Sequence, residues 1–263
     1  MKTSIAQIIA LTAYGNAFLQ NQPVNFDKNH STAQHCKEIT FIEWPSEIVL
    51  AEDPNAWFQF LKKNQIESLI LDFAPLDKGI KESRESMGFI GGGGRWLISS
   101  IKGENAEIWE GGWIAPKENE TRDNWTVTYG RIAKEWSLPN PEIFSSIDQS
   151  HKNLKSALKS IIQFAKDQNL EEFVEIFNKG LTCLSSELPN VNVYHKDLLI
   201  EENYSLKARQ VLAACQTAFV FGAMGSWNDM TYEGKTQERY DKLSNALFSS
   251  IMKSICTVVN SFP

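Results

Sequence analysis

The chain has 263 residues, a formal net charge of -6, 42% hydrophobic and 22% charged residues. That composition excludes a disordered or collagen-like chain and supplies apolar material for one large domain or two small ones. The acidic balance excludes a general nucleic-acid binder, which carries a basic footprint, and it suits a basic partner.

In chain order, residues 3–20 predict a first helix, with Ile5, Ile8, Ile9 and Thr12 on one face. Its apolar run is short, is interrupted by Gln7 and has Lys2 as its basic flank, so it reads as an amphipathic helix rather than a signal peptide. The run 21–36, with Pro23, Asn25, Asp27 and Asn29, predicts a loop. Glu38 to Trp44 alternates as a strand. Asp53-Pro54 predicts a helix through about Lys63, because Asp caps free amides and Pro loses nothing at the first helical position. The nearly unbroken apolar run Ile66–Phe73 suits a strand covered on both faces. Strand, helix and strand over 38–73 are expected to form a crossover unit with parallel or near-neighbouring strands. Ala74–Gly88 has no clear period, apart from one helical turn at Ile80–Ser86.

Three strands with short links follow: Arg95–Ile101, Ala106–Ala115 and Trp125–Glu135, a meander pattern with a polar loop over Pro116–Asn124. Leu138-Pro139-Asn140-Pro141 breaks sheet from helices. Beyond it, helical spacing runs through Leu154–Ala165, Leu170–Leu181, Ala208–Phe219 and Tyr240–Val258, with a short extended piece expected at Val191–Tyr194. The expectation is an α+β fold: a mixed sheet of about five strands flanked by helices, packed on about four C-terminal helices. One domain over 1–263 is expected, with an organisational boundary near 140 (1–140 mixed, 141–263 helical). No run reaches the roughly 18 apolar residues of a membrane span. The 4 cysteines (Cys36, Cys183, Cys215 and Cys256) form no CxxC pair, and three sit in apolar helical patterns, which predicts free thiols and a cytoplasmic location.

Five features carry candidate chemistry. Gly91–Gly94 precedes a strand rather than a helix, so it does not match a phosphate loop; with Arg95 next to it, it reads as a strand entry or a glycine flap over an acidic ligand. Glu110-Gly111-Gly112-Trp113 places glycines inside a strand, where another backbone or a ligand can approach, and gives Glu110 a partly apolar face or a partner in Arg95 or Arg131. Tryptophans 96, 109, 113, 125 and 136 read first as core and second as a stacking surface, and the Trp109/Trp113 face is the best candidate for exposure because Glu107 shares it. The histidines 30, 35, 151 and 195 lack metal-ligand spacing, and a His35–Cys36 pair alone makes no triad. Finally, Phe221 to Asp229 joins two long helical patterns. Its glycines and Asx residues read as a corner plugged by Trp227; Trp227, Asn228, Asp229, Tyr232 and Glu233 are also its candidate ligand-binding set.

These features give as first expectation a cytosolic, non-catalytic binding or interaction protein that regulates or neutralises another protein, with no cofactor, metal or membrane contact. Its oligomeric state is left open. One rival is a hydrolase-type enzyme using Glu110 and Asp229, with Arg95 as substrate anchor. The other is a carbohydrate- or nucleotide-binding module using Trp109 and Trp113. A pocket joining Glu110, Arg95 and Asp229 would mark the enzyme, and exposed parallel indoles would mark the module.

Overall fold

The computed structural model describes residues 1–89, 92–116, 124–137, 145–222 and 225–262. Helix α1 (Thr3–Leu19) leads to strands β1 (Cys36–Glu43) and β2 (Ile48–Ala51), helix α2 (Pro54–Lys63), strand β3 (Ser68–Ala74) and helix α3 (Ile80–Ser86). Strands β4 (Arg95–Lys102), β5 (Asn105–Ile114) and β6 (Trp125–Ser137) follow. Helices α4 (Ile147–Asp167), α5 (Glu171–Cys183), α6 (Leu206–Thr217) and α7 (Gly234–Val259) complete the set. The fold is α+β, a mixed sheet with helices on one face and a C-terminal helical group. The breaker at Leu138–Pro141, most of the Pro116–Asn124 loop and Gly91 lie outside the described residues.

Local chemistry sets the helix starts. Asp53 Oδ1 accepts from Ala56 N at 2.8 Å with Pro54 at the first helical position. Ser146 and Ser205 cap α4 and α6 by accepting from Gln149 N and Ala208 N, each at 3.2 Å.

The 6-stranded sheet has the order β2-β1-β6-β5-β4-β3. The meander β4-β5-β6 is antiparallel, and β1 joins β6 in parallel. Two expectations need correction here. Strands β1 and β3 are not parallel neighbours, because β6, β5 and β4 lie between them, β6 pairing with β1 and β4 with β3. Strand β2 adds an edge to the expected sheet of about five strands and brings it to six; four residues after a tight turn are too short for a visible alternation. Val191–Tyr194 is not a strand but lies among turns.

The face of the sheet that carries Phe41, Trp109 and Tyr129 holds the core. Phe41 stacks on Trp57 of α2 at 4.4 Å and on Tyr129 at 5.3 Å. Helix α1 crosses this face and is buried almost all round, so its side chains include satisfied polar groups: Gln7 Oε1 accepts from Tyr129 O–H at 3.1 Å. The same run of buried side chains continues into α4–α7. On the opposite face Ile101, Ala106 and Ile108 form a small separate cluster.

Sheet edge β3 is closed by side-chain amides. Asn16 of α1 accepts from Leu69 N at 2.7 Å and donates to Leu69 O at 2.9 Å. Asn260, just past α7, does the same to Leu71, both at 2.8 Å. Each amide supplies the donor and acceptor that a neighbouring strand would have supplied.

Candidate functional site

The end of the sheet where β1, β4 and β6 begin and β5 finishes opens into a cleft of about 660 Å³. Its floor is Ile5, Ile8, Cys36, Met87 and Tyr129, all buried. Its walls are Trp96, Trp113 and Trp125 with Phe89 at the rim, where Phe89 is 71% exposed. Lys2, His35, Arg95 and Glu110 supply the charged and titratable groups.

Glycines make room for this arrangement. A Cβ on Gly111 would stand 2.9 Å from the Tyr129 ring, so only glycine lets β5 pass that ring. A Cβ on Gly92 would stand 2.0 Å from Ser86 O. That close approach sets Gly92 against the end of α3, where Gly93 N donates to Ser86 Oγ at 3.1 Å.

Arg95 grips Glu110 in a two-point pair, Nε to Oε1 at 2.8 Å and Nη2 to Oε2 at 2.7 Å. This bond holds the Arg95 guanidinium above its ordinary range. Lys2 Nζ donates to Phe89 O at 3.0 Å, and burial lowers its ammonium pKa. Burial pushes the Cys36 thiol up and the Tyr129 hydroxyl well up, so neither is an anionic nucleophile at neutral pH. Cys36 Sγ accepts from Gln7 Nε2 at 3.5 Å.

The structure brings Arg95, Glu110, Trp113 and part of the glycine run into one cleft. It does not bring Asp229 there. Trp109 belongs to the core and is not the exposed indole of the alternative reading: it is fully buried, donates to Ser100 Oγ at 3.0 Å and lies edge-on to Trp57. Glu107 does share its side of the strand, but Arg131 binds Glu107 at 2.9 Å and Glu43, and its guanidinium lies over the Trp109 ring. The charge on that face is therefore paired above the indole. Trp113 and Trp125 meet at 6.0 Å and 63°, an edge-to-face pair rather than a parallel platform.

The remaining candidates sit at the helical corner. Trp227 is fully buried among Phe164, Phe173 and Phe177, and its indole N–H donates to Ser244 Oγ at 2.7 Å. Asn228 accepts from Arg84 Nη1 at 3.0 Å and donates to Arg84 O at 2.7 Å. Asp229 is exposed and accepts from Gly225 N. Tyr232 packs on Phe164 and Tyr240, both at 5.5 Å. Glu233 is the exposed residue preceding α7 and caps it with no side-chain bond.

Residues scattered in sequence form a further polar network. Ser31 Oγ bonds to His195 Nδ1 at 2.8 Å and donates to Asp197, which also accepts from Ser31 N at 2.8 Å. His30 Nε2 meets Asp197 O at 2.9 Å. The Asp197 carboxylate holds Ser31 rather than the His195 imidazole that Ser31 meets, so this is not a relay of acid, base and nucleophile. Burial depresses His195 to about 4 and lowers His30 as well. No sequence spacing signals this network, since its halves are more than 160 residues apart.

Among the described residues no group of three or more His, Cys, Asp or Glu could hold a metal ion, and no helix is long and apolar enough to cross a membrane. All four cysteines are free and buried.

The fold and site define an α+β protein with an aromatic-walled cleft at one sheet end. Compared with models of protein families, with curated proteins and with solved structures, the chain matches none.

Proposed function

We propose that this chain is a cytosolic, non-catalytic binding protein that regulates another protein, and that its cleft receives an anchor side chain of that partner. The observation that carries this reading is the makeup of the cleft: three indoles, a tyrosine ring, a methionine and an arginine around about 660 Å³. Aromatic residues, Met and Arg are the types that concentrate at protein interfaces and their energetic centres. The volume lies within the roughly 300–1,000 Å³ of ordinary ligand pockets.

The chemistry of the lining favours holding over transforming. Its one carboxylate among the described residues, Glu110, has both oxygens bound by Arg95. A general base must lie within hydrogen-bond reach of the proton that it abstracts, and this carboxylate is turned to Arg95. The hydrolase reading also asked Asp229 to share the site, and Asp229 closes a turn at Gly225 instead. The edge-to-face Trp113 and Trp125 offer no flat surface for a sugar or a base. Four buried free thiols suit a reducing compartment.

Calorimetry with capped tripeptides that differ in the central residue (Trp, Phe, Leu or Ser) tests the reading. Aromatic centres should bind best, and Trp113→Ala should weaken them about tenfold or more, as for a hot-spot aromatic. Equal affinity for Ser and aromatic centres, or unchanged affinity in a folded Trp113→Ala protein, would reject it.

A further inference from the structure

We infer that Arg84 is a positioning residue for the cleft: its buried guanidinium fixes α3 against α7 and the Trp227 corner, and α3 in turn sets Met87 and Phe89 at the floor and rim. The inference rests on the reading that the cleft receives a partner side chain, and it adds the residue that sets the shape of that site without touching what enters it.

Helix α3 has little of its own to hold it. Its 7 residues make about two turns, and so short a helix is unstable alone in water. Its N-cap is Gly79, with no side-chain bond. Its buried residues are Ser83 and Arg84, and Ile80 packs on the core only in part. Hydrogen bonds rather than an apolar face therefore decide where it sits.

Arg84 supplies those bonds. Its side chain is 1% exposed. Nε donates to Asn245 Oδ1 at 2.8 Å and Nη2 to Asp241 Oδ1 at 3.1 Å, both on α7. Nη1 donates to Asn228 Oδ1 at 3.0 Å, at the corner. The guanidinium also lies over the Tyr240 ring, 5.5 Å from its centre. Burying a cation is unfavourable unless its donors are met, so these partners hold the arginine, and the helix that carries it, in one place.

The same residue reaches the cleft through its backbone. Arg84 O accepts from Asn228 Nδ2 at 2.7 Å and from Met87 N at 3.2 Å, so one carbonyl joins the corner to the cleft floor. Met87 is buried and lines the cleft. Two residues on, Phe89 O accepts from Lys2 Nζ at 3.0 Å. A shift of α3 would carry this wall of the cleft with it, while Trp113 and Trp125 stay with β5 and β6.

The test follows the methionine methyl resonances of the wild type, Arg84→Lys and Val174→Ala, and titrates each with the Phe-centred capped tripeptide. Lysine keeps the charge but lacks the planar fork that reaches Asn245, Asn228 and Asp241 together. Val174→Ala removes buried volume on α5 and leaves every Arg84 partner in place. The Met87 methyl should move in Arg84→Lys and stay in Val174→Ala, and the tripeptide should bind Arg84→Lys about tenfold more weakly while Val174→Ala binds as the wild type does. Asn228→Ala strips the corner side of the same guanidinium, should move Met87 as well, and carries the test where Arg84→Lys does not fold. A Met87 methyl that stays in place in the folded variant would overturn the inference. Equal tripeptide affinity in variant and wild type would overturn it too, as would an equal loss in Val174→Ala, the mark of a merely structural role. The methyl comparison needs no ligand: if no tripeptide binds the wild type, the anchor reading falls by itself, and Met87 still decides whether Arg84 sets the cleft.

Discussion

Arg95 and Glu110 hold each other at two points across β4 and β5, at the lip of the cleft, with Arg95 52% and Glu110 31% exposed. The pair is wet, so its effect on stability is small even though its geometry is good. Its consequence is chemical: the acid that a catalytic reading would use is already engaged. Glu110→Gln should change unfolding free energy by no more than about 1 kcal/mol in a denaturant titration. A loss above about 3 kcal/mol would show that the pair is a structural strut.

The corner at Trp227 should behave in the opposite way. Trp227 is fully buried among three phenylalanine rings, and its backbone O accepts from Tyr240 O–H at 2.5 Å. Trp227→Ala should cost about 3–5 kcal/mol, the range for large buried aromatics. Asp229→Asn should cost less than about 1 kcal/mol, because the amide oxygen can still accept from Gly225 N. Chemical denaturation of the two variants checks both, and a stable Trp227→Ala chain would remove the packing role.

Part of this was readable in the sequence and part was not. Asp53-Pro54 announced its helix because a cap and a first-turn proline act locally. The β4-β5 hairpin announced itself because a short turn joins its strands. Sheet order did not, because β1 finds β6 across some eighty residues and no local pattern encodes that choice. Trp109 was singled out as the candidate for exposure for a related reason: Glu107 signals an exposed face until Arg131, from the neighbouring strand, neutralises it. Arg95, Glu110 and Trp113 were singled out by their glycine neighbours. Lys2, Met87 and Tyr129 carried no such mark, since the cleft is assembled from six separate segments.

Acid should destabilise the fold in a defined window. His195 has its pKa depressed from the ordinary 6.5 to about 4 by burial, so below pH 6.5 the unfolded chain takes up a proton that the folded chain refuses. The stability it contributes is complete above about pH 6.5 and is lost as pH falls toward about 4, by about 3 kcal/mol or less. His30, lowered by burial as well, adds in the same direction. Thermal melts of the wild type and His195→Gln across this range should converge as pH falls. Parallel curves would show that His195 does not titrate as described.

The amide clamp on β3 predicts an association phenotype. Asn260→Ala removes both partners of the Leu71 backbone and should cost about 1–3 kcal/mol while exposing an unpaired strand edge. Light scattering after size exclusion should show concentration-dependent assembly of the variant. A variant as stable and as dispersed as the wild type would show that the clamp is dispensable.

Recognition is proposed to occur in the cleft at the sheet end. It is tested most directly by titrating an aromatic-centred capped peptide while following the indole N–H resonances of the eight tryptophans. Trp96, Trp113 and Trp125 should shift together and saturate, while Trp57, Trp109 and Trp227 stay in place. Shifts centred on Trp44, Trp136 or Trp227, or a saturated complex in which Trp113 and Trp125 have not moved, would contradict it.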